Sequence, residues 1–263
     1  MRHWMIAAAL LSASCQQKPQ LSYEGADYRT DAAKIAHGKR LTYILDCTGC
    51  HGENFEGTDL ADKPEDGAMY APNVTLLASK YSDSEFDRLL RHGVPKDGRA
   101  LWFMPVESFQ FLSDADLAAL SAYLRTLKPA GKALPPFKVN KVERKDVDAG
   151  ILGNAQQQIR KYRDGPPPDL GPRHAWGHYL AQTACTGCHN NALQGWPNFT
   201  PSLDIAGAYS KPELTQLLTD GRGKAGKDVG PMSRVARRNF SRLTPREREA
   251  IVDYVIARAN RPQ

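Results

Sequence analysis

Five residues occur twice in this chain, as Cys47-Thr48-Gly49-Cys50-His51 and again as Cys185-Thr186-Gly187-Cys188-His189. Two thiols one helical turn apart, followed directly by an imidazole, form the attachment site of a c-type haem. The thiols add to the porphyrin vinyl groups as thioethers, and the ring then lies under the iron as an axial ligand. Each copy therefore demands a helix that presents two sulfurs and a ring to one flat apolar face. Two copies call for two such pockets and two covalently bound haem c groups. A thioredoxin-like pair or half of a zinc site also uses C-x-x-C. Neither needs a His immediately after the second Cys, and neither accounts for its recurrence. Four of the five cysteines are consumed, which leaves Cys15 and no partner for a disulfide.

The context of Cys15 is a leader. Arg2 and His3 precede an apolar run from Trp4 to Leu11, and Ser12-Ala13-Ser14 lead into the Cys. This is a signal-peptide layout, too short for a permanent membrane span. Small residues before a Cys resemble a bacterial lipobox, which implies cleavage after residue 14 and lipidation of Cys15; ordinary cleavage leaving a free thiol is the other reading. Either way the chain is expected to be exported, to the periplasmic face of a bacterial membrane if lipid-anchored. No later stretch is apolar enough to cross a bilayer, and residues 15–30 read as a polar tether.

The rest of the chain divides in two. A length of 263 residues suits two small domains, and each haem adds apolar surface to a core that need not be large. Sliding the chain along itself aligns Gly38-Lys39-Arg40-Leu41 with Gly177-His178-Tyr179-Leu180, and Pro72-Asn73-Val74-Thr75 with Pro197-Asn198-Phe199-Thr200. Tyr81-Ser82, Glu85, Leu89-Leu90, Gly93 and Met104 recur 128 residues later, and Leu112-Ser113 and Tyr123 recur as Leu243-Thr244 and Tyr254 at a spacing of 131.

Ser82 with Glu85 and Ser210 with Glu213 form capping boxes, and Gly93 and Gly221 are natural helix stops. Ser113 and Thr244 start a final helix in each half, with Pro245 in its first turn. Leu117, Leu120 and Leu124, and Ile251, Val255 and Ile256, give those helices apolar stripes. Strand signals are sparse, so the fold class is all-α. The domains read as 31–128 and 171–263, after a signal peptide 1–14 and the tether. They are joined by a long Pro-rich linker, 129–170, that wraps the surface.

The paired motifs, the Pro-Asn-x-Thr segments, Met104-Pro105 and the closing Leu-Ser-Asp…Tyr-Leu helix resemble a tandem of class I cytochrome c domains over residues 31–128 and 171–260. More narrowly, the chain resembles the multihaem cytochrome c subunits that take electrons from bacterial alcohol, aldehyde and sugar dehydrogenases. Those subunits often carry three haems, whereas this chain has two motifs. The resemblance implies a Met sulfur as second axial ligand to each iron. Of five methionines, Met1 and Met5 lie in the leader, Met232 is alone in the second half, and Met69 and Met104 compete in the first; Met104 matches Met232. His37, His92, His174 and His178 are alternative ligands, though none recurs at equivalent positions. The family pattern also suggests that carbonyls at Pro72 and Pro197 hold the Nδ1 of His51 and His189.

The resemblance implies electron transfer rather than catalysis. Such a chain passes electrons between a periplasmic dehydrogenase or other donor and a respiratory acceptor, alone or as the electron-transfer subunit of an oxidoreductase complex. A dihaem peroxidase-like enzyme is the alternative; it needs one iron with an open site, yet both halves keep a matching Met. A sensor would need an output domain, for which no length remains. No nucleic acid partner is indicated.

Charge is unevenly distributed. Residues 31–128 hold 11 Lys/Arg and 15 Asp/Glu, a balance of −4, whereas 171–263 hold 13 and 7, a balance of +6. Arg234, Arg237, Arg238 and Arg242 follow Met232 closely and form a candidate docking patch for an acidic redox partner.

Overall fold

The computed structural model describes residues 20–61, 69–139, 141–149, 152–197 and 199–261. The proposed signal peptide, Cys15, the first residues of the tether and Asn198 lie outside the described residues.

In the first domain Thr30 caps α1 (Asp31–Ile44) by accepting from the Ala33 N–H. A left-handed Asp46 turns the chain into α2 (Cys47–His51). Two short strands, β1 (Thr58–Asp59) and β2 (Tyr70–Ala71), pair antiparallel with Thr58 opposite Ala71. The Ser82/Glu85 capping box opens α3 (Asp83–His92), and Gly93, at φ 65°, closes it. Then come α4 (Val106–Phe109) and α5 (Asp114–Arg125), the latter capped by Ser113. The connection contains α6 (Lys141–Asp148) and α7 (Ala155–Asp164). The second domain repeats the plan with α8 (Ala175–Ala184), α9 (Thr186–His189), α10 (Lys211–Asp220), α11 (Pro231–Arg238) and α12 (Pro245–Ala259). Capping boxes at Ser210 and Thr244 open α10 and α12.

Each domain is built on a crossing of its first and last helices, α1 on α5 and α8 on α12. A glycine makes each crossing close: a Cβ on Gly38 would strike the Ala119 carbonyl, and one on Gly177 the Ala250 carbonyl. Leu117, Leu120 and Leu124 line the first crossing, and Ile251, Val252 and Val255 the second, all buried. These residues belong to one continuous apolar core that runs through both domains.

Two segments differ from their sequence reading. The end of the supposed tether is a strap inserted between the domains. Tyr23 is 1% exposed; its N–H donates to Asp116 and its hydroxyl bonds Thr183 across the junction. The next N–H, of Glu24, donates to Glu247. The segment is polar because its backbone and side chains satisfy buried carboxylates, and composition alone cannot separate that from solvation. The linker is likewise packed. Ala155, Ile159 and Tyr162 of α7 are buried against the α4 side of the first domain, and the Tyr162 hydroxyl donates to the Thr186 carbonyl of the second.

Two buried carboxylates anchor further junction contacts. Asp116 and Glu247 hold corresponding places at the starts of α5 and α12, both fully buried. Asp116 accepts from Tyr179 of the other domain at 2.6 Å and meets His37 at 2.7 Å. Glu247 accepts from Arg40 of the other domain at 2.7 Å. Each domain thus uses the carboxylate at its last helix to grip the first helix of its neighbour.

Candidate haem-binding sites

In both halves a short helix presents the motif, and a tight loop follows it. After the first motif, Phe55 takes φ 61°; after the second, Leu193 takes φ 59°. Both side chains are buried, and this non-glycine left-handed backbone is held by hydrogen bonds rather than composition. The Gly57 N–H returns to the His51 carbonyl and the Gly195 N–H to the His189 carbonyl. The Thr58 hydroxyl donates to the Cys50 carbonyl, and the Thr200 hydroxyl to the Cys188 carbonyl. Thr58 was not singled out from sequence, and Thr200 was matched to Thr75 instead; the unequal spacing of the two from their motifs hides the match.

The axial imidazoles are fixed in the same way. His51 Nδ1 lies 2.9 Å from the Pro72 carbonyl, and His189 Nδ1 lies 2.9 Å from the Pro201 carbonyl. The second partner is therefore Pro201, not Pro197. Matching Pro72-Asn73-Val74-Thr75 to Pro197-Asn198-Phe199-Thr200 uses a spacing of 125, while Pro201 follows Pro72 by 129, beside the 128 of the residues downstream. A common spacing was the better signal than shared letters. Around Pro197, Trp196 and Thr200 bond each other through their backbones.

Electrostatics favour ligands in the form that iron binds. Burial lowers both His51 and His189 below the ordinary histidine value, against the raising effect of their carbonyl partners. The rings stay neutral with Nε2 free. Burial pushes the Cys47 and Cys185 thiols up to about 12. Met104, just ahead of α4, and Met232, in the first turn of α11, are both half-buried against the core. Met69 is differently placed: it sits beside β2, its N–H donating to the Asp59 carboxylate. Two of the alternative histidines are engaged elsewhere, His37 with Asp116 and His178 with the Pro167 carbonyl. Among the described residues no group of three or more His, Cys, Asp or Glu is placed to hold a metal ion, as a zinc site would require. A lone neutral imidazole beside two thiols, held in the correct tautomer by a carbonyl, fits haem c.

The surroundings of the two sites differ in charge. Asp46 and Glu53 flank the first motif; Ala184 and Asn191 stand at those places in the second. Behind the second site lies Arg258, 0% exposed, which donates to Asp204 at 2.7 Å and to the Ala192 carbonyl at 2.9 Å. Its charge adds to burial in lowering His189. Neither residue was legible as part of the site, because Arg258 lies on the last helix, far along the chain from the motif.

The four arginines of the candidate docking patch do not form one free surface. Arg237 pairs with Asp228 within its own domain at 3.0 Å. Arg238 crosses the junction, with Nε 3.5 Å from Glu53 and Nη2 3.3 Å from the Thr48 hydroxyl. Arg242 stacks on the ring of Tyr43 in α1, 5.0 Å from its centroid. Only Arg234 and Arg237 project from the second domain alone as exposed cations.

Two helix-crossing domains, each with a C-x-x-C-H helix whose imidazole is held by a proline carbonyl and with a Met half-buried against the core, have the plan of haem c-binding domains in tandem. The cytochrome c family pattern matches residues 35–128 and 175–257, and the chain belongs to the cytochrome c family, whose members transfer electrons through haem c. It is 27% identical to the fructose dehydrogenase cytochrome subunit of Gluconobacter japonicus, over 84% of this chain and 52% of that one. It is 25% identical to the gluconate 2-dehydrogenase cytochrome c subunit of Pantoea cypripedii, over 88% of this chain and 60% of that one. It is 24% identical to a diheme cytochrome c-type protein of Cereibacter sphaeroides, over 84% and 85%. The chain covers between 22% and 60% of the length of the dehydrogenase subunits it matches. Among the described residues no helix is long and apolar enough to cross a membrane.

Proposed function

We propose that this chain is a dihaem c-type cytochrome that relays electrons from a periplasmic dehydrogenase or other donor to a respiratory acceptor. It is an electron carrier, the companion of a separate catalytic protein, held at the periplasmic face of a bacterial membrane by lipid on Cys15. The observation that carries this reading is the duplication of C-x-x-C-H with each imidazole held by a proline carbonyl, His51 by Pro72 and His189 by Pro201; Met104 and Met232, which match in the repeat, are the residues that would complete the two ligand sets. Relatives named as cytochrome subunits of fructose, gluconate and alcohol dehydrogenases support the class of partner. Haem c supplies a one-electron couple, and Met ligation keeps its potential high.

The residues of the chain do the rest. Cys47 and Cys50, and Cys185 and Cys188, would hold the two haems covalently to the motif helices. Pro72 and Pro201 stop the imidazoles from rotating, so little reorganises when the charge changes. The buried helix crossings exclude water from one side of each pocket. Tyr23, Arg40, Asp116 and Glu247 bind the two domains to each other and so fix the motifs in one relative orientation.

Ligation separates this reading from a peroxidase-like one. The wild-type holoprotein is expected to be low-spin at both sites and not to bind carbon monoxide. Met104→Ala and Met232→Ala should each open one iron to carbon monoxide, with Met69→Ala behaving as wild type. Carbon monoxide binding by one iron of the wild-type protein, with peroxide turnover, would overturn it. For the anchor, Cys15→Ala should release the holoprotein from membranes with its haem content intact; an unmodified mature N-terminus in mass spectrometry would refute lipidation.

A further inference from the structure

The junction between the domains repeats in plan but not in charge. Each motif threonine meets the helix that begins beside the other domain's Met, α4 just after Met104 and α11 at Met232. Thr186 meets the Ser108 hydroxyl of α4 at 2.7 Å, and Gly187 lies against Pro105 and Ser108 with room for only a light contact. Thr48 meets α11 instead, and there the partner is the guanidinium of Arg238 at 3.3 Å. The same guanidinium lies 3.5 Å from Glu53, two residues past His51. One face of the pseudo-symmetric contact is thus neutral, and the other carries a cation set between two residues of the opposite domain's motif segment.

We infer that Arg238, supplied by the second domain, sets the reduction potential of the first haem site across the domain junction. This rests on the dihaem reading above. The physical reason is charge. Oxidised haem carries one more positive charge than reduced haem, so a fixed cation nearby favours reduction and a fixed anion opposes it. Asp46 and Glu53 burden the first site with two anions, and Arg238 is the cation that answers them. The Arg238 side chain is 41% exposed and Glu53 61%, so solvent screens the interaction without abolishing it. An isolated first domain would lack this cation, which makes the potential of one haem a property of the assembled pair.

The test is a spectroelectrochemical titration of the full-length holoprotein at low salt, with haem content counted first. Met104→Ala and Met232→Ala assign the two waves to their sites. Arg238→Gln should weaken the preference for reduced iron at the first site on the order of three- to tenfold, the range for one charge acting through a partly wet surface. Glu53→Gln should move the same wave in the opposite direction by less, and Arg238→Lys should restore most of the wild-type position. Opposite signs exclude a loosened junction, which would shift both neutral variants the same way. An unmoved first wave in Arg238→Gln, with both haems present, overturns the role of Arg238 and leaves the dihaem reading intact. A haem count of one, or ligand variants that move no wave, overturns the dihaem reading itself.

Discussion

Behind His51 the chain places Thr75, three residues past the proline whose carbonyl holds the ring. Behind His189, three residues past Pro201, it places Asp204. Thr75 bonds the Asn73 side chain at 2.6 Å and the Ala130 carbonyl at 3.1 Å, pinning the start of the interdomain connection to the first domain. Asp204 instead pairs with the buried Arg258 and, at 3.2 Å, with Arg261, pinning the last helix to the second. Both arrangements fasten a distant segment to the loop that aims the axial imidazole. One does so with neutral hydrogen bonds and the other with charge. The parts that hold the haem ligands repeat, because those contacts run to backbone carbonyls. The parts that fasten the loop are free to differ, provided no buried group is left without a partner.

The two fastenings should fail at different cost. Arg258→Met leaves Asp204, one-third exposed, with Arg261 and Ser202 and deprives the Ala192 carbonyl of its donor; it should destabilise the holoprotein by about 2 kcal/mol, the range for a lost hydrogen bond to a charged group. Thr75→Val removes neutral bonds of similar shape and should cost about 1 kcal/mol. Chemical denaturation of both variants, read by the haem Soret band and by far-ultraviolet dichroism, measures the difference. Equal costs would mean that the charged fastening is no more demanding than the neutral one. Arg258→Met should also let the His189 ring titrate more readily in the haem-free protein, since one cation opposing its protonation is gone.

A second difference lies in the helices that follow the methionines. Burial pushes the Glu107 carboxyl of α4 up to about 7, and it adds to burial in raising the facing Tyr162 hydroxyl; α11 carries no carboxylate at all. A carboxyl whose folded value exceeds its unfolded one binds more protons when folded. Its contribution to stability is full below about 4.5, the ordinary value, and is lost as pH rises through about 7. Glu107→Gln should therefore leave stability unchanged at acidic pH and raise it by about 2 kcal/mol at pH 8. The gain should fall on the α4–α7 contact, visible as slower amide exchange in α7. A stabilisation that is the same at both pH values would show that Glu107 is not protonated in the fold.

Much of this was legible in residue letters, and the remainder shows where letters stop. The motif spacing called for helices that present sulfur and imidazole together, because that chemistry is local and covalent. The capping boxes at Ser82, Ser210 and Thr244 mark helix starts because a cap is also local. What escaped is long-range. The strap at Tyr23 reads as tether since polar residues that satisfy buried carboxylates look the same as polar residues in water. Pro201 was hidden behind a better-looking tetrapeptide. Arg258 reaches the second site from a helix end about seventy residues on in the chain, and only the crossing of α8 with α12 brings it there.

The smallest expected effect concerns the surface. The first domain is acidic and the second basic, yet two of the four arginines following Met232 are spent at the junction: Arg238 on Glu53 and Arg242 on Tyr43. Reversing those would disturb the contact between domains along with any docking. Arg234 and Arg237 are the residues that report on docking alone, and Arg237 is already half-neutralised by Asp228. Charge on such a surface speeds encounter more than it tightens binding. Small redox reagents of opposite sign isolate this effect without an identified partner. With both arginines changed to Glu, electron delivery from hexacyanoferrate(II) to the second site should slow by about threefold at low salt, and delivery from hexaammineruthenium(II) should quicken. Both changes should fade above roughly 0.5 M salt, where the screening length shrinks to a few ångströms. The first site, flanked by Asp46 and Glu53, should keep its wild-type rates with both reagents. Rates that ignore the sign of the reagent would reduce the patch to solvated charge and leave the asymmetry of the two domains to the interior residues alone.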